Sequence, residues 1–146
     1  MGLSPRSALL VSLQFILIGL ILWPFGAQRF RTIFWIGVVA SIALGIYTLL
    51  YNRLGNFNIR PEPKASGRLI TSGPYRLIRH PMYSALMLAM AAFVAAEQSA
   101  LKLGLWIALG LTLLSKAGFE EQLMSEKFPN YQDYRERSKR FIPYIF

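Results

Sequence analysis

Apolar residues fall along the chain in four long runs with polar stretches between them. "ALLVSLQFILIGLILW" occupies residues 8–23 and "IFWIGVVASIALGIYTLLY" residues 33–51. "MYSALMLAMAAFVAA" covers 82–96, and a fourth run extends over about 100–115 with Lys102 near its start. A helix that crosses the hydrocarbon of a bilayer needs about 20 residues. The second run meets that length. The other three are short and need interfacial ends, or Lys and Arg side chains that snorkel, to reach water. All four are too long and too apolar for the surface helices of a soluble protein. The expected fold is all-α, an integral membrane protein of about four transmembrane helices, at 8–23, 33–51, 82–96 and 100–115.

The polar stretches organise these runs. The longest, 52–81, holds "NIRPEPK" and "TSGPYR", whose prolines and glycines exclude a continuous helix. Runs three and four are separated only by "EQS" at 97–99, which predicts an antiparallel hairpin. After Ser115 the pattern stays helical but becomes charged as far as Phe128, and Pro129 breaks it. "NYQDYRERSKRFIPYIF" then completes the sequence. With 146 residues there is room for one domain, 1–146, and little for a second. Arg6 followed by an apolar run is reminiscent of a signal peptide. No small-residue cleavage site follows, and further apolar runs do, so it is read as a retained span.

Charge adds orientation. The net charge is +9, which in a soluble chain would raise nucleic acid as a partner. Here the cations sit between apolar runs rather than on a separate basic face, so membrane lipids with anionic headgroups are the expected counter-charge. With four spans, Arg6, six cations in 53–79 and six in 116–140 share one side, against Arg29, Arg31 and Lys102 on the other. That asymmetry places both ends of the chain, the linker 52–81 and the segment 116–146 on the cytoplasmic side. There is no cysteine and a single histidine. Thiol chemistry is excluded, and a metal centre built from several imidazoles is not expected.

Two stretches carry candidate chemistry. "SGPYRLIRHPMYSALMLA" at 72–89 sets Arg76, Arg79 and His80 before Pro81, a residue suited to the first turn of a helix. Such a helix start offers backbone N–H groups to a carboxylate or phosphate. Spacing alone reads equally as a basic topology anchor. "KAGFEEQLMSEKF" at 116–128 puts Lys116 and Glu120 four residues apart on one helical face. Glu120 and Glu121 point about 100° apart and so need different partners. Carboxylates this near hydrocarbon are costly unless paired, which weighs against a merely solvated extension. Gly55, Gly67 and Gly73 are isolated, and neither a dinucleotide fingerprint nor a Walker-type loop is present.

"GRLITSGPYRLIRHPMY" (67–83) followed by "FEEQLMSEKFPNYQDYRERSKRFIP" (119–143) resembles the isoprenylcysteine carboxyl methyltransferases and their relatives, the phospholipid methyltransferases. The resemblance covers roughly the last 80 residues, and small bacterial members of the family look like the whole chain. It implies an enzyme of a bacterial inner membrane that takes S-adenosylmethionine from the cytosol and methylates a lipophilic or lipid acceptor. By matching positions, the cofactor would lie along Gly67, Arg68, Leu69, Ile70, Tyr75, His80, Pro81, Met82, Tyr83 and Glu120. Lys116 would face the acceptor. Glu121, on its proximity and not on the resemblance, is the candidate base for an acceptor that must lose a proton. The family carries arginine where Lys116 stands; lysine keeps the charge but loses the bidentate fork. Membrane sterol reductases share "RHP-x-Y" and bind NADPH. They typically have Asn at the position of Met82 and lack the paired glutamates and the "RFIP" ending. A lipid-binding scaffold without catalysis is the third alternative.

Overall fold

In the computed structural model, the structure describes residues 4–27, 29–52, 56, 58–63 and 66–146. Arg53 and Lys64, counted among the linker cations, and Gly55 lie outside the described residues. Five helices follow in order: α1 Pro5–Leu22, α2 Thr32–Asn52, α3 Pro81–Glu97, α4 Ala100–Lys127 and α5 Tyr131–Arg137. A short 3-10 turn, Gly73–Arg76, interrupts the linker. The described residues form no strand; Ile78 and Lys139 make one isolated parallel bridge.

Helices α1, α2 and α4 are long and apolar enough to cross a membrane, and α3 is apolar but shorter. The 17 residues of α3 reach about 25 Å, just under the ~30 Å of a bilayer's hydrocarbon. The molecule is an all-α membrane protein. The hairpin expected at 97–99 is present, with Gln98 in the left-handed conformation (φ 52°) capping α3. Helix α4 continues through Ser115 as a single rod of 28 residues, as the charged helical pattern up to Phe128 leads one to expect. One boundary differs from the sequence pattern. Beyond Pro129 the chain turns helical again within two residues, because Tyr131 and Tyr134 are then buried together.

Helix α3 is packed between α2 and α4, and α1 lies against α4 and the edge of α3. Leu17 and Ile21 of α1, Met90 of α3 and Leu109 and Leu113 of α4 form the main core. Where α2 meets α3, a Cβ on Gly37 would stand 3.0 Å from the Cβ of Ala92. Lipid gives helices little hydrophobic reason to associate, so close backbone approach through small residues does that work. The outward faces carry exposed Leu9, Ile16, Ile36, Val39 and Ile46, a surface that suits hydrocarbon and not water.

Polar contacts fasten both ends of the bundle. At the hairpin end, Lys102 is fully buried and pairs with Glu97 at 2.5 Å, and the Arg29 N–H donates to the carbonyl of Ala96 at 2.7 Å. At the other end the linker is tied to α1, where the hydroxyls of Ser7 (2.8 Å) and Ser4 (3.4 Å) donate to Glu62. Asn56 acts as a surrogate strand for Arg68, accepting from its N–H at 2.8 Å and donating to its carbonyl at 3.0 Å. Gly73 has φ +59°, and a Cβ there would fall 2.4 Å from the ring of Tyr51.

Gly73→Ala is therefore expected to lose about 1–2 kcal/mol from the dihedral alone, and more from the ring contact. The readout is the denaturation midpoint in detergent. An unchanged midpoint would contradict this tight turn against α2.

Candidate active site

The linker, the start of α3, the charged half of α4 and α5 enclose an open cleft at one end of the bundle. Its empty volume, open mouth and adjoining solvent included, is about 870 Å³. Gly67, Arg68, Leu69, Ile70, Tyr75, His80, Pro81, Met82, Tyr83 and Glu120 all line it. These stretches are up to about 50 residues apart in sequence, and the fold brings every one of them to a single wall. Asn52, Asn56, Glu62, Arg79, Met124, Phe128, Tyr131 and Tyr134 are among the other residues that line it.

Glu121 organises the back of that wall. It is almost fully buried, and its Oε1 accepts from Arg79 Nε at 2.9 Å, His80 Nε2 at 3.1 Å and Arg140 Nε at 3.1 Å. Arg140 Nη2 closes the fork on Oε2 at 3.0 Å. That hydrogen bonding holds the Arg140 guanidinium still more firmly protonated than usual. Arg79 Nη1 reaches on to the carbonyls of Arg135 and Ser138. Backbone bonds run alongside, from Arg79 N–H to Lys139 O (2.7 Å) and from His80 N–H to Arg140 O (3.1 Å). The two glutamates thus separate as their angular spacing implied. Glu121 is committed inward, and Glu120 faces the cleft.

Glu120 is a third exposed and accepts from the Tyr83 hydroxyl at 3.0 Å, with His80 Nδ1 at 3.7 Å. The rings of His80 and Tyr83 stack in parallel with centroids 5.2 Å apart, and Phe141 meets His80 edge-on. Because a carboxylate only accepts, the contact with Glu121 puts the hydrogen of His80 on Nε2. Burial, with Glu120 adding to it, pushes the Tyr75 phenol up. Burial likewise raises Tyr134, whose hydroxyl donates to the Tyr75 carbonyl at 2.8 Å. These tyrosines are neutral donors and apolar faces, not bases.

The first turn of α3 offers less than its sequence suggested. Pro81 has no N–H, and those of Tyr83 and Ser84 already bond the His80 carbonyl. Met82 supplies the remaining N–H of that turn.

Lys116 lies outside the lining. It is 1% exposed, and its Nζ donates to Gln14 Oε1 of α1 at 2.7 Å, not to Glu120. It also sits 5.2 Å from the centroid of the Tyr83 ring, so Tyr83 stands between Lys116 and the cleft. Sequence reasoning missed Gln14, although a lone amide inside the apolar run 8–23 is a signal, since polar groups in hydrocarbon are costly and look for partners. Among the described residues, no group of three or more His, Cys, Asp and Glu is arranged to hold a metal.

Removing Glu121's charge leaves two guanidinium groups without their counter-ion. Breaking one side of a buried ionic cluster costs about 3–5 kcal/mol, whereas Glu120 is a third exposed and accepts one hydrogen bond, from the Tyr83 hydroxyl, which an amide oxygen could still accept. Glu121→Gln is thus expected to lower the thermal midpoint in detergent much more than Glu120→Gln does. Equal effects would mean that Glu121 is not the centre of the cluster.

Comparison with known proteins shows the family. The family model of the phospholipid methyltransferases matches residues 24–131. Over 82 residues the chain is 33% identical to the nickel-cobalt-cadmium resistance protein NccN of Alcaligenes xylosoxydans xylosoxydans. Over a stretch of the same length it is 32% identical to the cobalt-zinc-cadmium resistance protein CzcN of Cupriavidus metallidurans. Each match covers 55% of this chain and 38% of the relative, so the chain spans well under half the length of these proteins. The matched region takes in α2, α3, α4 and the linker, which build the cleft together with α5, and the chain belongs to the phospholipid methyltransferase family.

Proposed function

We propose that the chain transfers a methyl group from S-adenosylmethionine to a lipophilic acceptor at the cytoplasmic surface of a bacterial inner membrane. One observation carries the reading. The ten residues matched to the family's cofactor positions, scattered over 67–120, line one cleft at one end of the bundle.

The chemistry of that lining fits the cofactor. Tyr75, Tyr83, Leu69 and Ile70 offer flat and apolar faces to an adenine, and an aromatic face also attracts a sulfonium. Glu120, the carboxylate open to the cleft, suits an ammonium or a ribose hydroxyl. When bound, S-adenosylmethionine supplies an electrophilic methyl group for in-line displacement. The residues' main task is then alignment of the acceptor with that methyl. A carboxylate or phenolate acceptor needs no base. An amine or thiol must first lose a proton, and Glu120 is the carboxylate within the cleft to receive it.

Glu121 and Lys116 act through neighbours in this reading. With its oxygens held by Arg79, His80 and Arg140, Glu121 orients His80. Lys116, fixed by Gln14, backs the ring of Tyr83 and so shapes the acceptor side of the wall. The domain is the whole chain, 1–146. The metal resistance in the names of NccN and CzcN is a property of those proteins and supplies no acceptor here.

Calorimetry with S-adenosylhomocysteine and NADPH side by side tests the assignment. The parent should bind the first and not the second. His80→Ala and Glu120→Gln should each lose about 1.5–3 kcal/mol, roughly tenfold to more than a hundredfold in affinity. Binding of NADPH alone would make the protein a reductase, and binding of neither would leave a lipid-binding scaffold. Lys116→Ala, which acts only through Tyr83, should lower turnover more than it lowers cofactor affinity. Topology is checked by reporter fusions at residue 146 and within 97–99, which should report opposite sides of the membrane. The same side for both would contradict the orientation drawn from the cations.

A further inference from the structure

The segment after α5 does more than close the site. Phe141 packs against the main core beside Tyr83 and Leu86, and its ring meets those of His80 and Tyr83 at 5.9 and 6.1 Å. Residue 141 therefore sits at the level where α3 begins its apolar course. From there the chain folds into a tight turn. The N–H groups of Phe141 and Ile142 donate to the backbone oxygen of Phe146 at 2.8 and 2.7 Å, and the Phe146 N–H returns to Ile142 O at 3.1 Å. Tyr144 takes a left-handed φ of 66° to permit this.

The product is an apolar knuckle that the described residues leave uncovered. Tyr144 is 82% and Ile145 77% exposed, and Ile142 and Phe146 are about half exposed. Arg137 and Lys139, both exposed, stand just before it. Arg140 lies with its guanidinium 6.0 Å from the centroid of the Phe146 ring. Aromatic and aliphatic side chains beside cations, at the depth where a span leaves the hydrocarbon, have the composition of a membrane-interface anchor.

We infer that residues 141–146 dock into the headgroup region of the bilayer that holds the bundle. Ile142, Tyr144, Ile145 and Phe146 enter the acyl boundary, and Arg137 and Lys139 pair with anionic headgroups. The occupant is lipid because Phe141 roots the knuckle beside the start of the apolar helix α3 and its flanking charge is complementary to an anionic surface. The consequence reaches the cleft. The anchored turn is joined through Arg140 to Glu121, so bilayer contact steadies the strand-like pairing of 138–141 with 77–80.

The chain has no cysteine, which makes single-site spin labelling direct. Ile145→Cys, Glu136→Cys and Ile16→Cys would each be labelled with a nitroxide in nanodiscs of phosphatidylcholine and phosphatidylglycerol. Collision with oxygen and with a water-soluble nickel chelate then reports depth. Position 136, exposed on α5, is the aqueous reference, and position 16, exposed on α1, is the lipid reference. The label at 145 should be several-fold less accessible to nickel than the label at 136, and it should shift toward the oxygen preference seen at 16. Nickel accessibility equal to that at 136 would overturn the inference. Dipolar broadening between labels at 145 would also overturn it, showing that a second copy covers the knuckle. Because residue 145 makes no core contact, an unchanged melting midpoint for Ile145→Cys keeps either result interpretable.

Discussion

A carboxylate buried at the edge of hydrocarbon has to be neutralised, and Glu121 is neutralised by three groups from two separate parts of the chain. Arg79 and His80 come from the entrance to α3, and Arg140 comes from beyond α5. None of these partners is near Glu121 in sequence, and all are needed, because the desolvation of an unpaired ion exceeds anything a single hydrogen bond returns. Meeting that one demand draws the linker, the helical hairpin and the final segment to the same place. The cleft is the space left in front of the cluster, and Glu120, one residue earlier, is turned into it.

The bilayer shapes the remainder. With apolar side chains content to face lipid, the helices associate through close contacts such as Gly37 on Ala92 and through buried polar pairs. Gln14 with Lys116 and Glu97 with Lys102 each join positions that would be expensive alone. The first pair also links α1, which lies outside the matched family region, to the back of Tyr83. The site is built on rigid helix ends, with the linker fastened at Glu62 and Asn56, an arrangement suited to a reaction whose chief requirement is alignment.

Much of this was legible in the residues. Four apolar runs against a bilayer's thickness gave the helices, and "EQS" gave the hairpin. The motif around His80 and the paired glutamates located the cleft lining. What was not legible depends on long-range pairing. The i,i+4 spacing suggested Lys116 with Glu120, yet the ammonium turns to Gln14, 102 residues away, because α1 brings an amide to it inside the bundle. Helix α5 was hidden behind Pro129, since its reason to form is the burial of Tyr131 and Tyr134 and not its own helical pattern. The N–H groups expected at the start of α3 were overcounted, because the His80 carbonyl satisfies two of them locally.

The central claim is that the cleft in front of the Glu121 cluster is where the methyl donor binds. Photocrosslinking of radiolabelled S-adenosylmethionine to the protein in nanodiscs, followed by peptide mapping, tests it most directly. The account predicts label confined to peptides from 67–83 and 120–134, displaced by S-adenosylhomocysteine and not by NADPH. Label in α1 or the first half of α2, or label that S-adenosylhomocysteine fails to displace, would contradict it.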